Sequence, residues 1–206
     1  PNLYNDIKYN FKGKPFSAEI SKRSYYEYIV ARGGEGLIIK DKKGKYYHKR
    51  GREYTKLKKF LTRECVIMGF NPPTKEYKGK DPISWEYYKN GEPISKFYAM
   101  GWVGNMRFGI VVTNEEINTW EKVNKRKAIV EVIDGLQVLE IGECAGYNEE
   151  VRQMFTSALS EFIGKVVEIK GQEIMKNTGA FRHPRYLRLR EDKSADMCTW
   201  YNHINC

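Results

Sequence analysis

The 206-residue sequence has no long apolar run and few cysteines. No stretch approaches the roughly 18 apolar residues of a membrane span, and no apolar signal core precedes a cleavage site, so we expect neither feature. The four cysteines, Cys65, Cys144, Cys198 and Cys206, form no Cys-x-x-Cys pair. With His203, the last two supply only three donors, one fewer than a structural zinc site needs. Reduced thiols are typical of a reducing compartment, and we expect a cytoplasmic protein.

Acidic residues are in the minority, 26 against 36 lysines and arginines, so the net charge is +10. Such a balance favours a polyanionic partner, most often nucleic acid or nucleotide phosphate. Residues 40–59 alone hold ten Lys or Arg against Asp41 and Glu53, a net +8, which leaves only +2 for the rest of the chain. A solvated surface is the usual fate of such a run. Its interleaved aromatics and strand-like pattern nevertheless favour a phosphate-binding groove.

The sequence has no methionine before Met68. We therefore expect it to be an excised piece of a longer protein, and its first residue need not be a domain boundary. Its hydrophobic fraction of 41% and aromatic fraction of 14% are sufficient for a buried core.

The first 60 residues read as a helix followed by short strands. The pattern predicts a helix that is capped by Ser21 or Ser24 and ends at Gly33–Gly34. Leu37–Ile39 has the length of a buried strand, and a turn at residues 41–44 leads to returning strands at 45–48 and 54–58.

From about residue 62 onward, the sequence predicts many short strands. One helix interrupts them, with Asn148 as its cap and an apolar stripe of Val151, Met154, Phe155, Ala158, Leu159 and Phe162. Residues 72–93 hold four of the seven prolines and read as a long loop or hairpin. About five strands with one late helix predict a small barrel of the OB type. The strand-like runs are residues 65–70, 96–103, 108–112, 128–133, 136–144 and 165–174.

Lys56 and Lys58 lie on one face of a predicted strand, with Leu57 on the other. Two ammonium groups on one face repel each other unless an anion lies between them, which favours a phosphate site. An exposed edge strand that its lysines protect from pairing explains the pattern equally well. Glu35 opens the preceding strand, where it is either a boundary residue or, beside a phosphate site, a ligand for Mg²⁺ or ribose. Gly36 would allow a close backbone approach.

Residues 181–193 form a third charged cluster. Alternation from Tyr186 predicts Arg188 and Arg190 on one face of a strand and Leu187 and Leu189 on the other. Arginines favour bidentate contact with phosphate oxygens. Asp192 either orients Arg190 and Lys193 or neutralises them.

These segments, taken in order, resemble ATP-dependent DNA ligases. Glu35–Lys40 (EGLIIK), Lys56–Lys58 (KLK) and Phe181–Lys193 (FRHPRYLRLREDK) are similar to the fourth, fifth and sixth nucleotidyltransferase motifs of that family. The resemblance covers residues 17–193, most of the chain. The first two motifs are shared with RNA ligases and capping enzymes, whereas the third favours a DNA ligase.

The resemblance implies a fold and a division into domains. We expect a mainly β protein with few helices (α+β), in which a C-terminal OB-fold barrel follows a truncated, ATP-grasp-like nucleotidyltransferase segment. Residues 1–60 would be the end of the adenylylation domain and residues 61–206 the OB domain, with a tail at 194–206. Partners would be nicked duplex DNA and the missing N-terminal catalytic segment, and the protein would be a monomer of bacterial, phage or viral origin.

The resemblance also implies roles for single residues. Glu35 would support Mg²⁺ and the nucleotide, and Lys56 and Lys58 would contact the α-phosphate of ATP. Arg190, Asp192 and Lys193 would close over ATP and orient the pyrophosphate leaving group. The residues expected to contact the DNA backbone are basic: Lys49, Arg50, Arg52, Arg182, Arg185 and Arg188.

The nucleophile of that family, a lysine in a KxDG motif, is absent. The only Asp-Gly pair, Asp134-Gly135, has Val132 where the lysine would stand. We therefore expect a fragment that is inactive alone. Two alternatives are a fragment of an RNA ligase or capping enzyme, and a non-enzymatic OB module that stacks single-stranded bases on Trp85, Tyr98 or Trp102.

Overall fold

A computed structural model describes residues 22–40, 43–45, 54–81 and 84–205. These residues belong to two units of the chain, Pro1–Lys59 and Phe60–Cys206. No helix in the described ranges is both long enough and apolar enough to cross a membrane.

The described part of the first unit is one helix and a β-hairpin. Helix α1 (Lys22–Ala31) is terminated by Gly33, two residues beyond its last residue, whose φ of +84° is left-handed. The amides of Gly33 and Gly34 donate to carbonyls of the last helical turn. This end was predicted. Ser24 lies inside the helix rather than at its cap, and Ser21 lies outside the described residues.

Strands β1 (Gly36–Lys40) and β2 (Tyr54–Lys58) pair in an antiparallel register. Both strands were predicted from their apolar and aromatic residues, although only Lys43–Lys45 of the intervening segment is described. The expected strand at residues 45–48 therefore lies almost wholly outside the described residues. Helix α1 packs against β1.

The second unit is built on a six-stranded antiparallel sheet. Its strands, in the spatial order β10-β9-β3-β6-β8-β7, are β3 (Leu61–Phe70), β6 (Met106–Val111), β7 (Val130–Ile133), β8 (Leu136–Cys144), β9 (Val166–Gly171) and β10 (Arg185–Leu189). A parallel bridge between Ala145, at the end of β8, and Arg185 of β10 joins two strands that are distant in that order. The bridge closes β3, β6, β8, β9 and β10 into a five-stranded ring, as in an OB-type barrel, with β7 as an added hairpin strand. The predicted fold class is confirmed.

The core lies inside this ring. Phe155, from a helix that packs on the ring, is fully buried, with ring contacts to Phe70, Tyr147, Phe162 and Tyr186 at centroid distances of 4.9–5.7 Å. The edge-to-face geometry of most of these pairs is the favoured aromatic arrangement. Inward-facing strand residues complete the core, among them Cys65, Ile67, Met106, Phe108, Ile110, Leu139, Val167 and Ile169.

The number of helices among the strands was predicted wrongly. Besides α4 (Glu149–Ser157) and α5 (Leu159–Phe162), the unit contains α2 (Lys96–Ala99), α3 (Asn114–Asn124) and α6 (Trp200–Asn205). Helix α2 occupies part of residues 96–103, which were expected to form a strand, because the Ser95 side chain caps its first turn. Helix α3 begins with a capping box between Thr113 and Glu116.

The predicted late helix is confirmed, but it is broken in two. The Asn148 side chain caps α4 by accepting from the amide of Val151. The chain breaks at Ala158, where φ is −147°. The predicted apolar stripe is therefore only partly buried, since Phe155 is enclosed while Met154 is 37% and Leu159 43% exposed.

The excursion at residues 72–93 contains a small hairpin, as expected. Strands β4 (Tyr88–Lys89) and β5 (Glu92–Pro93) are joined by Asn90 and Gly91, both at positive φ, as a tight hairpin turn requires.

Three of the four cysteines are buried free thiols: Cys65, Cys144 and Cys198. Burial raises the pKa of Cys144 and of Cys198 to about 12 and that of Cys65 well above its ordinary value. Such thiols stay protonated, and Cys206 lies outside the described residues.

Candidate nucleotide site and nucleic-acid interface

The β1–β2 hairpin places three lysines on one of its faces. Lys56 stands opposite Ile38, and two residues away Lys40 stands opposite Tyr54, with the Lys40 ammonium 5.5 Å from the Tyr54 ring centroid. Lys58 shares the same face, because strand side chains alternate. We call Lys40, Lys56 and Lys58 the lysine face. Lys56 is exposed and Lys58 is partly buried. Ile38 of β1, which lies on the same face opposite Lys56, is 57% exposed.

Leu57 points to the opposite face and is half-buried, as the alternation predicted. The register places it opposite Leu37, on the apolar side of β1. The hairpin thus presents ammonium groups on one side and aliphatic side chains on the other.

Gly36 allows a close backbone approach by the neighbouring strand. Its φ is +142°, and a Cβ at this position would lie 2.0 Å from the carbonyl oxygen of Leu57. Only glycine fits both the conformation and the space. Gly36 stands opposite Lys58, so the lysine face has no side chain at this position.

Glu35 precedes the strand at the same end of the hairpin. Its side chain is exposed, and its carbonyl accepts the amide of Lys59 at 3.1 Å. Among the described residues, no group of three or more His, Cys, Asp or Glu side chains forms a metal cluster. A single carboxylate is compatible with Mg²⁺, which is commonly held by one or two carboxylates and the phosphates of a substrate.

Three predicted DNA contacts, Lys49, Arg50 and Arg52, lie outside the described residues.

The strand that carries Arg188 does not alternate as predicted. A β-bulge between Tyr186 and Arg188 shifts the register, so Tyr186 and Leu189 both pack against the core while Leu187 is 44% exposed. The prediction that Leu187 and Leu189 share one face of the strand is wrong for this reason. Arg188 remains on the outside and donates from Nε to Glu168 at 2.7 Å, which lowers the pKa of that carboxyl.

Arg190 lies just beyond β10 and binds two carboxylates. Its Nε and Nη2 atoms donate to the two oxygens of Asp192, each at 2.8 Å. Its Nη1 atom donates to Glu64 of β3 at 2.5 Å. The side chain of Arg190 is only 13% exposed, against 66% for Asp192.

The bidentate geometry fits both roles proposed for Asp192 toward Arg190. The carboxylate aligns with the guanidinium fork, which fixes its plane as well as balancing its charge. This contact lowers the pKa of Asp192 below its ordinary range and raises that of Arg190. Lys193 continues the turn by donating its amide to the Arg190 carbonyl at 3.2 Å.

Arg190 and Lys193 line a cleft of about 520 Å³ in the second unit. Its other walls include Phe162, Ile163 and Lys165, so apolar surface lies beside three cationic side chains. Three carboxylates line the same cleft: Asp134, Glu191 and Asp196. A cleft of this size is typical of small-molecule sites.

The remaining predicted DNA contacts are exposed. Arg185 has no ion pair among the described residues, whereas Arg182 lies 3.9 Å from Glu173, a loose surface pair.

The aromatics named for base stacking take part in packing contacts. Trp102 is 9% exposed, and Trp85 donates from its indole nitrogen to the Ile94 carbonyl at 2.6 Å while packing against Tyr77. Tyr98 is partly buried, with the Lys89 ammonium 5.6 Å from its ring centroid.

No protein-family model and no curated protein match the sequence significantly. Solved structures do match. Pmar-Lig_Pre has a TM-score of 0.50 at 18% identity, over 85% of this chain and 32% of its own. This score supports a shared fold. A structure from work on Lig E DNA ligases has a TM-score of 0.45 at 18% identity, over 92% of this chain and 56% of its own.

The ligase domain of LigD from M. tuberculosis has a TM-score of 0.40 at 18% identity, over 86% of this chain and 51% of its own. The solved structures that resemble this chain include a Lig E DNA ligase and this ligase domain. The chain spans about a third to just over half of their length.

Two residues of the site were missed from the sequence. Glu64 and Glu168 hold Arg190 and Arg188, yet each is a single acid in a strand of mixed character. Only the pairing of β3, β9 and β10 reveals their role, because their arginine partners are 126 and 20 residues away.

Proposed function

We propose that this chain is part of an ATP-dependent DNA ligase that seals nicks in duplex DNA. In this assignment residues 1–60 end the adenylylation domain, and residues 61–206 form the OB domain with its tail at 194–206. One observation carries the proposal. The EGLIIK and KLK segments pair to form the lysine face, and the same chain continues into an OB-type barrel that bears the RLREDK segment.

The lysine face suits contact with a phosphate. Lys56 and Lys58 would neutralise charge that develops on the α-phosphate as the bond to pyrophosphate breaks. Arg190 and Lys193 would hold the departing pyrophosphate, with Asp192 keeping the guanidinium in its plane. Glu35 would share Mg²⁺ with the phosphates, and the ion would shield their charge.

The attacking amine belongs to a lysine that this sequence does not contain, since it has no KxDG motif. That amine would attack the α-phosphorus of ATP and release pyrophosphate, which leaves AMP on the lysine. AMP would then pass to the 5′-phosphate of the nick, and the 3′-hydroxyl would attack that phosphate and release AMP.

The basic residues of the barrel would contact the DNA backbone without reading its sequence. Arg182, Arg185 and Arg188 are exposed for such contacts. We also assign DNA-backbone contacts to Lys49, Arg50 and Arg52, for which the sequence pattern is the only support. The protein would act in the cytoplasm as a monomer.

The test uses the full-length protein that contains this chain. It is incubated with ATP labelled at the α-phosphate, and then with nicked duplex DNA. We expect label on the protein that withstands alkali and is released by acid, as a P–N bond requires, followed by its transfer to the 5′-phosphate and a sealed strand. Labelling from GTP, or sealing confined to RNA nicks, would instead indicate a capping enzyme or an RNA ligase. DNA binding without any labelling would indicate a binding module.

A further inference from the structure

The guanidinium of Arg190 is held by carboxylates from two different elements. Asp192 belongs to the turn that follows β10, as Arg190 itself does. Glu64 belongs to β3, which is separated from β10 by β9 in the sheet. Within the described residues, these contacts use three of the five N–H donors of Arg190.

The backbone on both sides of this contact is fixed. The amide of Arg190 donates to the carbonyl of Val166 at 2.8 Å, which extends the pairing of β9 by one residue. Val166 in turn stands opposite Val66 of β3, two residues from Glu64. The distance from the Arg190 backbone to the Glu64 carboxylate is therefore set by the sheet and not by a loop.

The placement of Glu64 has an electrostatic cost. Its direct partner on β9 is Glu168, and like charges opposite one another destabilise a sheet. Each carboxylate is compensated by a different arginine, Arg188 for Glu168 and Arg190 for Glu64. A neutral residue at position 64 would avoid the repulsion, so the carboxylate is better explained by what it does to Arg190.

We propose that Glu64 is a positioning residue that, together with Asp192, aims the remaining N–H donors of Arg190 at the pyrophosphate of ATP. The proposal rests on the function proposed above. The guanidinium is planar and rigid, so fixing three donors also fixes the directions of the other two. Asp192 alone holds the guanidinium of Arg190 along one edge, and because Asp192 is exposed, the two side chains could rotate together. The bond from Arg190 to Glu64 of β3 prevents this rotation.

The test compares Glu64→Ala and Glu64→Gln with Arg190→Ala in the full-length protein. Two reactions are measured: transfer of AMP from ATP to the protein, and closure of a nick that already carries AMP. We expect Arg190→Ala to slow the first reaction about 10²-fold and Glu64→Ala to slow it about tenfold, with Glu64→Gln in between. Closure of the adenylylated nick, which involves no pyrophosphate, is expected to change less than about twofold.

A matched control is Glu131→Ala, which removes another strand glutamate that is paired with an arginine, Arg107. It is expected to leave both reactions unchanged. In the Arg190→Ala background, Glu64→Ala is expected to slow adenylylation no further, because Glu64 acts on that reaction only through the Arg190 guanidinium.

The outcomes separate this proposal from the function on which it rests. Loss of adenylylation in Arg190→Ala but not in Glu64→Ala would overturn the positioning role and leave the function intact. Equal loss of both reactions in Glu64→Ala and Glu64→Gln would show a purely structural role and would also overturn it. If Arg190→Ala itself had no effect, the assigned nucleotide site would be wrong.

Discussion

The guanidinium of Arg152 lies 3.9 Å from the ring centroid of Phe97, deep in the second unit. Arg152 is 5% exposed and has no carboxylate partner among the described ion pairs. Its Nη1 atom donates to the carbonyls of Val103 and Gly104, and burial lowers the pKa of the guanidinium. One side chain of α4 therefore holds the segment from α2 to β6 against the barrel.

Replacement of Arg152 should destabilise the barrel. We expect Arg152→Met to lower the free energy of unfolding by about 2 kcal/mol, because it leaves the Val103 carbonyl buried without a donor. Urea unfolding followed by tryptophan fluorescence measures this loss. Arg126→Met is the control, since the exposed Arg126 also lies over an aromatic ring, Trp120, at 5.0 Å. Equal stability of the Arg152 variant and the wild type would contradict the assigned role.

The stability of the second unit should fall in mild acid because of His203. Its Nε2 atom lies 2.7 Å from the Gly179 carbonyl, and burial lowers its pKa from 6.5 to about 4. The unfolded chain therefore binds a proton at a higher pH than the folded chain does. The contribution is complete above pH 6.5 and is lost as the pH falls toward 4, by up to about 3 kcal/mol.

The measurement is the free energy of unfolding between pH 7 and pH 4 for the wild type and for His203→Gln. We expect a shallower fall in the variant. His183→Gln, at an exposed histidine, should follow the wild type. Parallel curves for the wild type and His203→Gln would rule out this histidine as the source.

The lysine face should be needed for adenylylation. We expect Lys56→Ala and Lys58→Ala each to reduce transfer of AMP to the full-length protein by at least about 10²-fold, because each removes a preorganised charge from the α-phosphate. The assay is labelling with ATP that carries the label at the α-phosphate. Thr55→Ala, on the opposite face of β2, should retain the wild-type rate. Unchanged labelling in both lysine variants would remove their assigned role.

Arg185 should contribute one phosphate contact to DNA binding. We expect the slope of log affinity against log salt to become shallower by about 0.9 in Arg185→Ala, since one fewer counterion is released. Arg185→Lys keeps the charge and should keep the slope. Titrations of a nicked duplex at several salt concentrations measure both. A slope that Arg185→Ala leaves unchanged would place Arg185 away from the DNA.

The strands of the barrel were predictable because β-branched and aromatic residues cluster in short runs between turn residues. Helix α3 was missed although Thr113 and Glu116 have the spacing of a capping box. Its apolar positions are few, and only Trp120 is buried, so its periodicity is weak. Tertiary contacts supply the rest of its stability, including the bond from the Trp120 indole to the Thr178 carbonyl.

The motif residues were predictable individually, but their contacts were not. Alternation predicted correctly that Lys56 and Lys58 share one face of β2, since β1 and β2 are regular and the register is unbroken. That Lys40 joins them follows only from the pairing of the two strands. The same rule failed at Leu187, because a bulge adds one residue and turns every later side chain. The partners of Arg188 and Arg190 depend on strand pairing over long separations, which no local pattern encodes.

The second unit contains three buried thiols whose reaction with an added reagent can report its unfolding: Cys65, Cys144 and Cys198. They lie on β3, on β8 and in the segment before α6, so an alkylating reagent can reach all of them only when the barrel opens. Their modification in increasing denaturant should therefore follow global unfolding, with no engineered label required.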